Sequence, residues 1–169
     1  MESRIPSEEE CLELMAAMSL APAILHHSLV VRNVALGLAD DLEKRGFLID
    51  RKLVSAAALL HDIMKMGAVF CHGVEGGEFL RSMGFDEVAS VVEKHCLNNL
   101  EDPELVPKTN EEKLLMYADL RVNAGKIVTL DERFRAIKER YTPKDPKALQ
   151  EYITFAKQLE WELLGKVEK

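Results

Sequence analysis

The 169-residue sequence predicts an all-α fold, a single-domain helical bundle of seven or eight helices. Three observations predict it. Apolar residues recur at spacings of three and four along nearly the whole chain, the period of one helix face. Helix-capping residues stand ahead of those runs. No segment alternates with strand period over a useful length, and there is no internal repeat or low-complexity linker. A chain of this size buries a core without disulfide or metal staples.

The helices follow in order. Ser7 and Glu10 have capping-box spacing and start the first. A second follows Pro22, with Val30, Val31, Val34, Ala35 and Leu38 on its apolar face, and ends at Gly46. Asp50 caps a third, which carries Leu53, Ala56, Ala57 and Leu60 into His61. The stretch from Gly67 to Gly77 breaks the pattern before Phe79 and Leu80. Asp86 opens a helix through Val88, Val91 and Val92 to His95, and residues 97–109, with Pro103 and Pro107, read as a loop. Thr109 and Glu112 repeat the capping-box spacing ahead of Leu114, Leu115, Ala118 and Asp119. Asp131 to Tyr141 reads as a short charged helix with Glu139 and Arg140 on a solvated face. Asp145-Pro146 places a cap and a helix-starting proline before a last helix that stops near Gly165. Its stripe around Tyr152 and Trp161 suits core packing or a homodimer contact.

Lys plus Arg number 22 against 29 Asp plus Glu, a net charge of −7. That balance excludes nonspecific gripping of a long nucleic acid, so a phosphorylated ligand is expected to be small and held by local cations or a metal. No apolar run reaches the length of a membrane span, and the N-terminus has no signal-peptide pattern, so no membrane partner and a cytoplasmic location are expected. Cys11, Cys71 and Cys96 are odd in number and far apart, which fits a reducing compartment. Cys71 and Cys96 lack C-x-x-C spacing and read as small buried hydrophobes.

The chemistry concentrates in Leu59-Leu60-His61-Asp62, where two metal donors end the apolar run from Val54. His27 lies one turn before Val30 and Val31, on the face that must be buried. Asp119 stands in an apolar helix, where a bare carboxylate is expensive. Two imidazoles and two carboxylates make a mixed N/O shell suited to Mn, Fe, Co, Ni or Zn rather than Ca.

Three stretches resemble the HD superfamily of metal-dependent phosphohydrolases, in its HDIG-type branch. They are His27-Ser28-Leu29-Val30-Val31, Ala58 to Lys65 around His61-Asp62, and Glu112 to Asp119. The motif-bearing core covers about residues 24–122 of a domain expected to span 1–169, with the C-terminal helices, 131–165, packed on it. The resemblance implies that His27, His61, Asp62 and Asp119 ligate one divalent ion, with His72 and His95 at positions where some members hold a second. His26 is then the one spare histidine of five. Asp62 is the expected catalytic carboxylate, orienting or deprotonating water, and Lys65 the catalytic and substrate-binding cation. Asn123, four residues beyond Asp119, is expected on the same helix face as a substrate contact, ahead of Arg121. The signature glycine is replaced by Met64, which narrows the space for a substrate. The implied activity is cleavage of a phosphate ester or anhydride of a small molecule, with a nucleotide the expected substrate. The alternative is a non-catalytic HD-fold module that binds a nucleotide or protein partner and keeps a structural metal.

Overall fold

A computed structural model describes residues 4–140 and 145–165. Eight α-helices account for most of them: α1 (Glu8–Ala17), α2 (Pro22–Lys44), α3 (Arg51–Leu60), α4 (His72–Ser82), α5 (Asp86–Val92), α6 (Asn110–Leu120), α7 (Leu130–Arg140) and α8 (Pro146–Leu164). A two-stranded hairpin, β1 (Val122–Asn123) with β2 (Lys126–Ile127), separates α6 from α7. No helix among the described residues is long and apolar enough to cross a membrane.

The helix starts are set by local chemistry. Ser7 and Thr109 each close a full capping box, with Glu10 and Glu112 reaching back to the cap backbone. Asp50 and Asp145 accept from the first free N–H groups of α3 and α8. Gly165, at φ 68°, takes the left-handed turn that ends α8.

The long α2 packs on α3 and α6, and α3 sits between α1, α5 and α6. The centre of this arrangement is fully apolar: Val31, Ala35, Val54, Ala57, Leu60, Val88, Val92, Leu114 and Ala118 are all buried. At about 25 cal/mol per Å² of apolar area removed from water, this core supplies the main driving force for folding. Helix α8 is tied to α6 by a polar pair inside the protein: the Tyr117 hydroxyl donates to Glu160 at 2.7 Å, with Glu160 wholly buried.

Several sequence expectations are corrected. The stretch from Gly67 to Gly77 is not a break throughout, because α4 already begins at His72. Gly73, Gly76, Gly77 and Leu80 form its buried face, and the missing side chains let α5 and the segment after it approach the helix closely. Helix α5 stops at Val92, so His95 lies just beyond it. The hairpin was not anticipated. Its turn residues, Ala124 (φ 49°) and Gly125 (φ 74°), both have the positive φ of a tight hairpin turn. Trp161 is 62% exposed and is no part of the core. The expected last residue of the charged helix, Tyr141, lies outside the described residues.

Candidate metal centre

Five segments deliver donors to one place. Helix α2 supplies His27, the turn after α3 supplies His61 and Asp62, the last turn of α6 supplies Asp119, and α4 with the segment after α5 supplies His72 and His95. His27 Nε2 lies 2.8 Å from Asp119 Oδ1. His61 Nε2 lies 3.6 Å from that same oxygen and 3.6 Å from Asp62 Oδ2. Asp62 Oδ1 faces the other way, 3.1 Å from His72 Nε2 and 3.8 Å from His95 Nε2. The two imidazoles of that second group approach to 3.1 Å, Nε2 to Nε2. The two oxygens of one carboxylate thus face two groups of donors.

The rings are oriented by backbone. Nδ1 of His61 is 2.8 Å from the Ala58 carbonyl, and Nδ1 of His95 is 2.6 Å from the Val92 carbonyl. A carbonyl only accepts, so each Nδ1 carries a proton, and the ring turns its Nε2 toward the cluster. Both carbonyls belong to the last turn of a helix or the turn beyond it, where free carbonyl groups are available.

His61 Nε2 decides whether an ion fits. It is fully buried and has no hydrogen-bond partner, with carboxylate oxygens on two sides at 3.6 Å. A buried nitrogen left unpaired costs about 1–3 kcal/mol. A divalent cation placed among His27, His61, Asp62 and Asp119 accepts the lone pair of that nitrogen and neutralises both carboxylates.

The electrostatics agree. Burial pushes the Asp62 carboxyl up, but His61, hydrogen bonds from His72 and His95, and Lys65 outweigh it and hold Asp62 well below the usual carboxylate range. Burial opposes ionisation of Asp119 as well, and His27 and His61 again prevail. Burial disfavours a charged His61, yet Asp62 and Asp119 pull its pKa above the ordinary value. At His95, burial is overcome by Cys96 and Asp62, which raise it to about 9. The cluster is an anionic cage that draws positive charge inward.

The chain matches the HD domain family model over residues 24–124. This chain belongs to the HD-domain family. That family consists mostly of hydrolases, and HD domains bind divalent metals. The HD chain is 31% identical, over 76% of its length, to the tRNA (cytidine(56)-2'-O)-methyltransferase of Picrophilus torridus, and covers 40% of that protein. It is 32% identical over 68% of its length to the enzyme of the same name from Thermoplasma volcanium, covering 36% of it. It is 31% identical over 73% of its length to an uncharacterized protein of Methanocaldococcus jannaschii, of which it covers 80%. The chain therefore spans about two fifths of the methyltransferases it matches and most of the third relative. No solved structure matches it.

Lys65 stands at the rim of the HD cluster, half exposed, with Nζ 3.2 Å from Asp62 Oδ1 and 3.3 Å from His72 Nε2. Asn123 and Arg121 are placed elsewhere. Helix α6 ends at Leu120, so Asn123 lies on β1 rather than on the helix face of Asp119, and its side chain accepts from Arg133 at 3.2 Å. Arg121 donates to the Val128 carbonyl and, at 2.6 Å, to the Tyr117 hydroxyl, on the α8 side of α6. His26 is exposed and its ring lies over Gly125, where an added Cβ would sit 2.5 Å from it. Cys96 is buried as expected, but its Sγ rests 3.6 Å from His72 Nε2 and 3.5 Å from His95 Nε2. The sequence signal for it was adjacency: Cys71-His72 and His95-Cys96 are both neighbouring pairs.

Proposed function

We propose that this HD domain is a metal-dependent phosphohydrolase that cleaves a phosphate ester or anhydride of a small molecule, most plainly a nucleotide. The observation that carries the reading is the buried, unpartnered His61 Nε2 facing two ionised carboxylates. Such a nitrogen, buried between two carboxylates without a hydrogen bond, is a ready ligand for an ion. A divalent ion bound there supplies Lewis acidity toward a phosphoryl oxygen and lowers the pKa of a water.

The chain's own residues do the rest. His27, His61 and Asp119 fix the position of the ion. Asp62, with one oxygen turned toward His61 and the other toward His72, is placed to orient the attacking water. Lys65 gives up its contact with Asp62 and pairs with a non-bridging phosphate oxygen; its half-exposed position at the rim permits that movement. Met66, Val69 and Phe70 are exposed on the loop between Lys65 and His72, and their apolar surface suits the flat face of a base or sugar. The net charge of −7 favours a small ligand over a nucleic-acid strand.

The test is a panel of phosphomonoesters, cyclic and dinucleoside phosphates and nucleotides against protein loaded with Mn, Co, Ni or Mg. The reading expects phosphate or nucleotide release, abolished by Asp62→Asn. A second reading is suggested by the two methyltransferases, of which this chain covers only about two fifths: a non-catalytic HD module that binds a nucleotide or a protein partner and keeps its metal for structure. Silence across the panel, with metal retained and nucleotide still bound, would support it.

A further inference from the structure

We infer that Cys96 is a metal ligand, and that its thiolate forms with His72 and His95, beside Asp62, a second cation site chemically unlike the first. The inference rests on the metal-centre reading of Asp62, and it concerns a residue type that the HD signature does not supply.

The distances carry it. Zinc-like ions hold sulfur at about 2.3 Å and imidazole nitrogen at about 2.0–2.1 Å in a tetrahedral shell. The edges of such a tetrahedron are about 3.5 Å between sulfur and nitrogen and about 3.3 Å between two nitrogens, from those same bond lengths. Cys96 Sγ is 3.6 Å from His72 Nε2 and 3.5 Å from His95 Nε2, and the two nitrogens are 3.1 Å apart. Asp62 Oδ1 lies 3.1 Å and 3.8 Å from the two nitrogens but does not share their reach of Cys96 Sγ, so the donor set is the two imidazoles and the sulfur. His72, His95 and Cys96 therefore present their donor atoms within mutual reach of one ion.

Local structure is built for this approach. Gly73, in the first turn of α4, has no side chain where a Cβ would stand 2.9 Å from Cys96 Sγ and 3.2 Å from the His95 ring. The His95 ring is held by the Val92 carbonyl at 2.6 Å, which turns Nε2 toward the sulfur. Cys71, the neighbouring thiol, is occupied differently: its Sγ accepts from Asn99 Nδ2 at 3.1 Å. Cys96 is thus the sulfur that faces the imidazoles.

A thiolate changes which ions are held. The first site has only nitrogen and oxygen donors. The second, with sulfur, prefers the softer Zn, Co or Fe(II) over Mn and Mg. Ligation expels the thiol proton to solvent, so filling this site releases acid.

The test is a Co(II) titration of the metal-stripped full chain in a non-thiol reductant, followed by near-ultraviolet absorption and metal analysis. The wild type is expected to develop a sulfur-to-cobalt charge-transfer band as its second ion binds. Cys96→Ser should lose the band and weaken the second ion about a hundredfold or more, since even an outer-shell partner is worth about 10–100-fold. Cys71→Ser should keep both band and ion. Far-ultraviolet circular dichroism checks that each variant is folded, and Cys96→Ala serves if the serine variant is not. No band in the wild type, a band retained in folded Cys96→Ser, or a band lost only in Cys71→Ser would overturn the assignment. Because no substrate is used, the result stands apart from the hydrolase reading: the band can appear in a protein inert toward every phosphate ester, and activity can occur without it.

Discussion

Replacing Asp119 by Asn keeps the shape of the side chain and one oxygen acceptor while removing its charge. Asp119 Oδ1 lies 2.8 Å from His27 and 3.6 Å from His61, and its side chain is 18% exposed. Without added metal the variant loses the charged part of one hydrogen bond, about 1 kcal/mol. In a chain of this size that lowers Tm by about 2–4 °C. The larger effect is on the response to metal. An ion at a hundred times its Kd stabilises the wild type by about 2.7 kcal/mol, or about 5–11 °C. If loss of the anionic ligand weakens binding about a hundredfold, the same ion concentration stabilises the variant by only about 0.4 kcal/mol. The metal-dependent shift then falls to about 1 °C. Differential scanning calorimetry with chelator or with Mn reads both numbers. An equal shift in variant and wild type would refute the argument, because the ion would then be bound without Asp119.

Three further outcomes are expected. Glu112 is buried and accepts from Lys94, from Lys108 N at 2.6 Å and from Thr109 N at 3.0 Å; burial opposes its charge, but these donors hold its pKa below the ordinary value of 4.5. A depressed carboxylate contributes stability that is present above its unfolded pKa and lost as pH falls through its folded one. Glu112→Gln should therefore cost about 2 kcal/mol at neutral pH, with the difference from wild type shrinking below about pH 4.5 in urea melts taken as a function of pH. Phe70→Ala, at a side chain 93% exposed, should raise KM several-fold for a nucleotide substrate with kcat and Tm unchanged; steady-state kinetics check it. His26→Ala should leave metal content as in the wild type, whereas His61→Ala should abolish ion binding; elemental analysis of the two variants distinguishes them.

The parts of the fold written in local chemistry could be read from the sequence. The capping boxes at Ser7 and Thr109 and the cap at Asp50 announce α1, α6 and α3 within a residue, since they satisfy N–H groups that every helix start leaves open. Helix α4 was hidden because three of the four residues on its buried face are glycines, whose low helix propensity reads as a break. The close packing they permit exists only in three dimensions. The hairpin was invisible for a different reason: two residues per strand are too few to show a period, and Ala124 is an unusual occupant of a positive-φ position. Missing it extended α6 on paper and carried Asn123 onto the wrong face.

The convergence of His27, His61, Asp62 and Asp119 was legible because each stands among apolar residues, where a polar group needs a partner. Cys96 reads in the sequence as a small buried hydrophobe, and it is buried. A buried cysteine passes as a hydrophobe, and only the folded distances bring its sulfur up to two imidazoles.

The most direct measurement is anomalous diffraction at the manganese edge from crystals grown with the ion. The account predicts a peak within coordination distance of His27, His61, Asp62 and Asp119. A cluster closed by hydrogen bonds alone, with the anomalous signal elsewhere or absent, would contradict it.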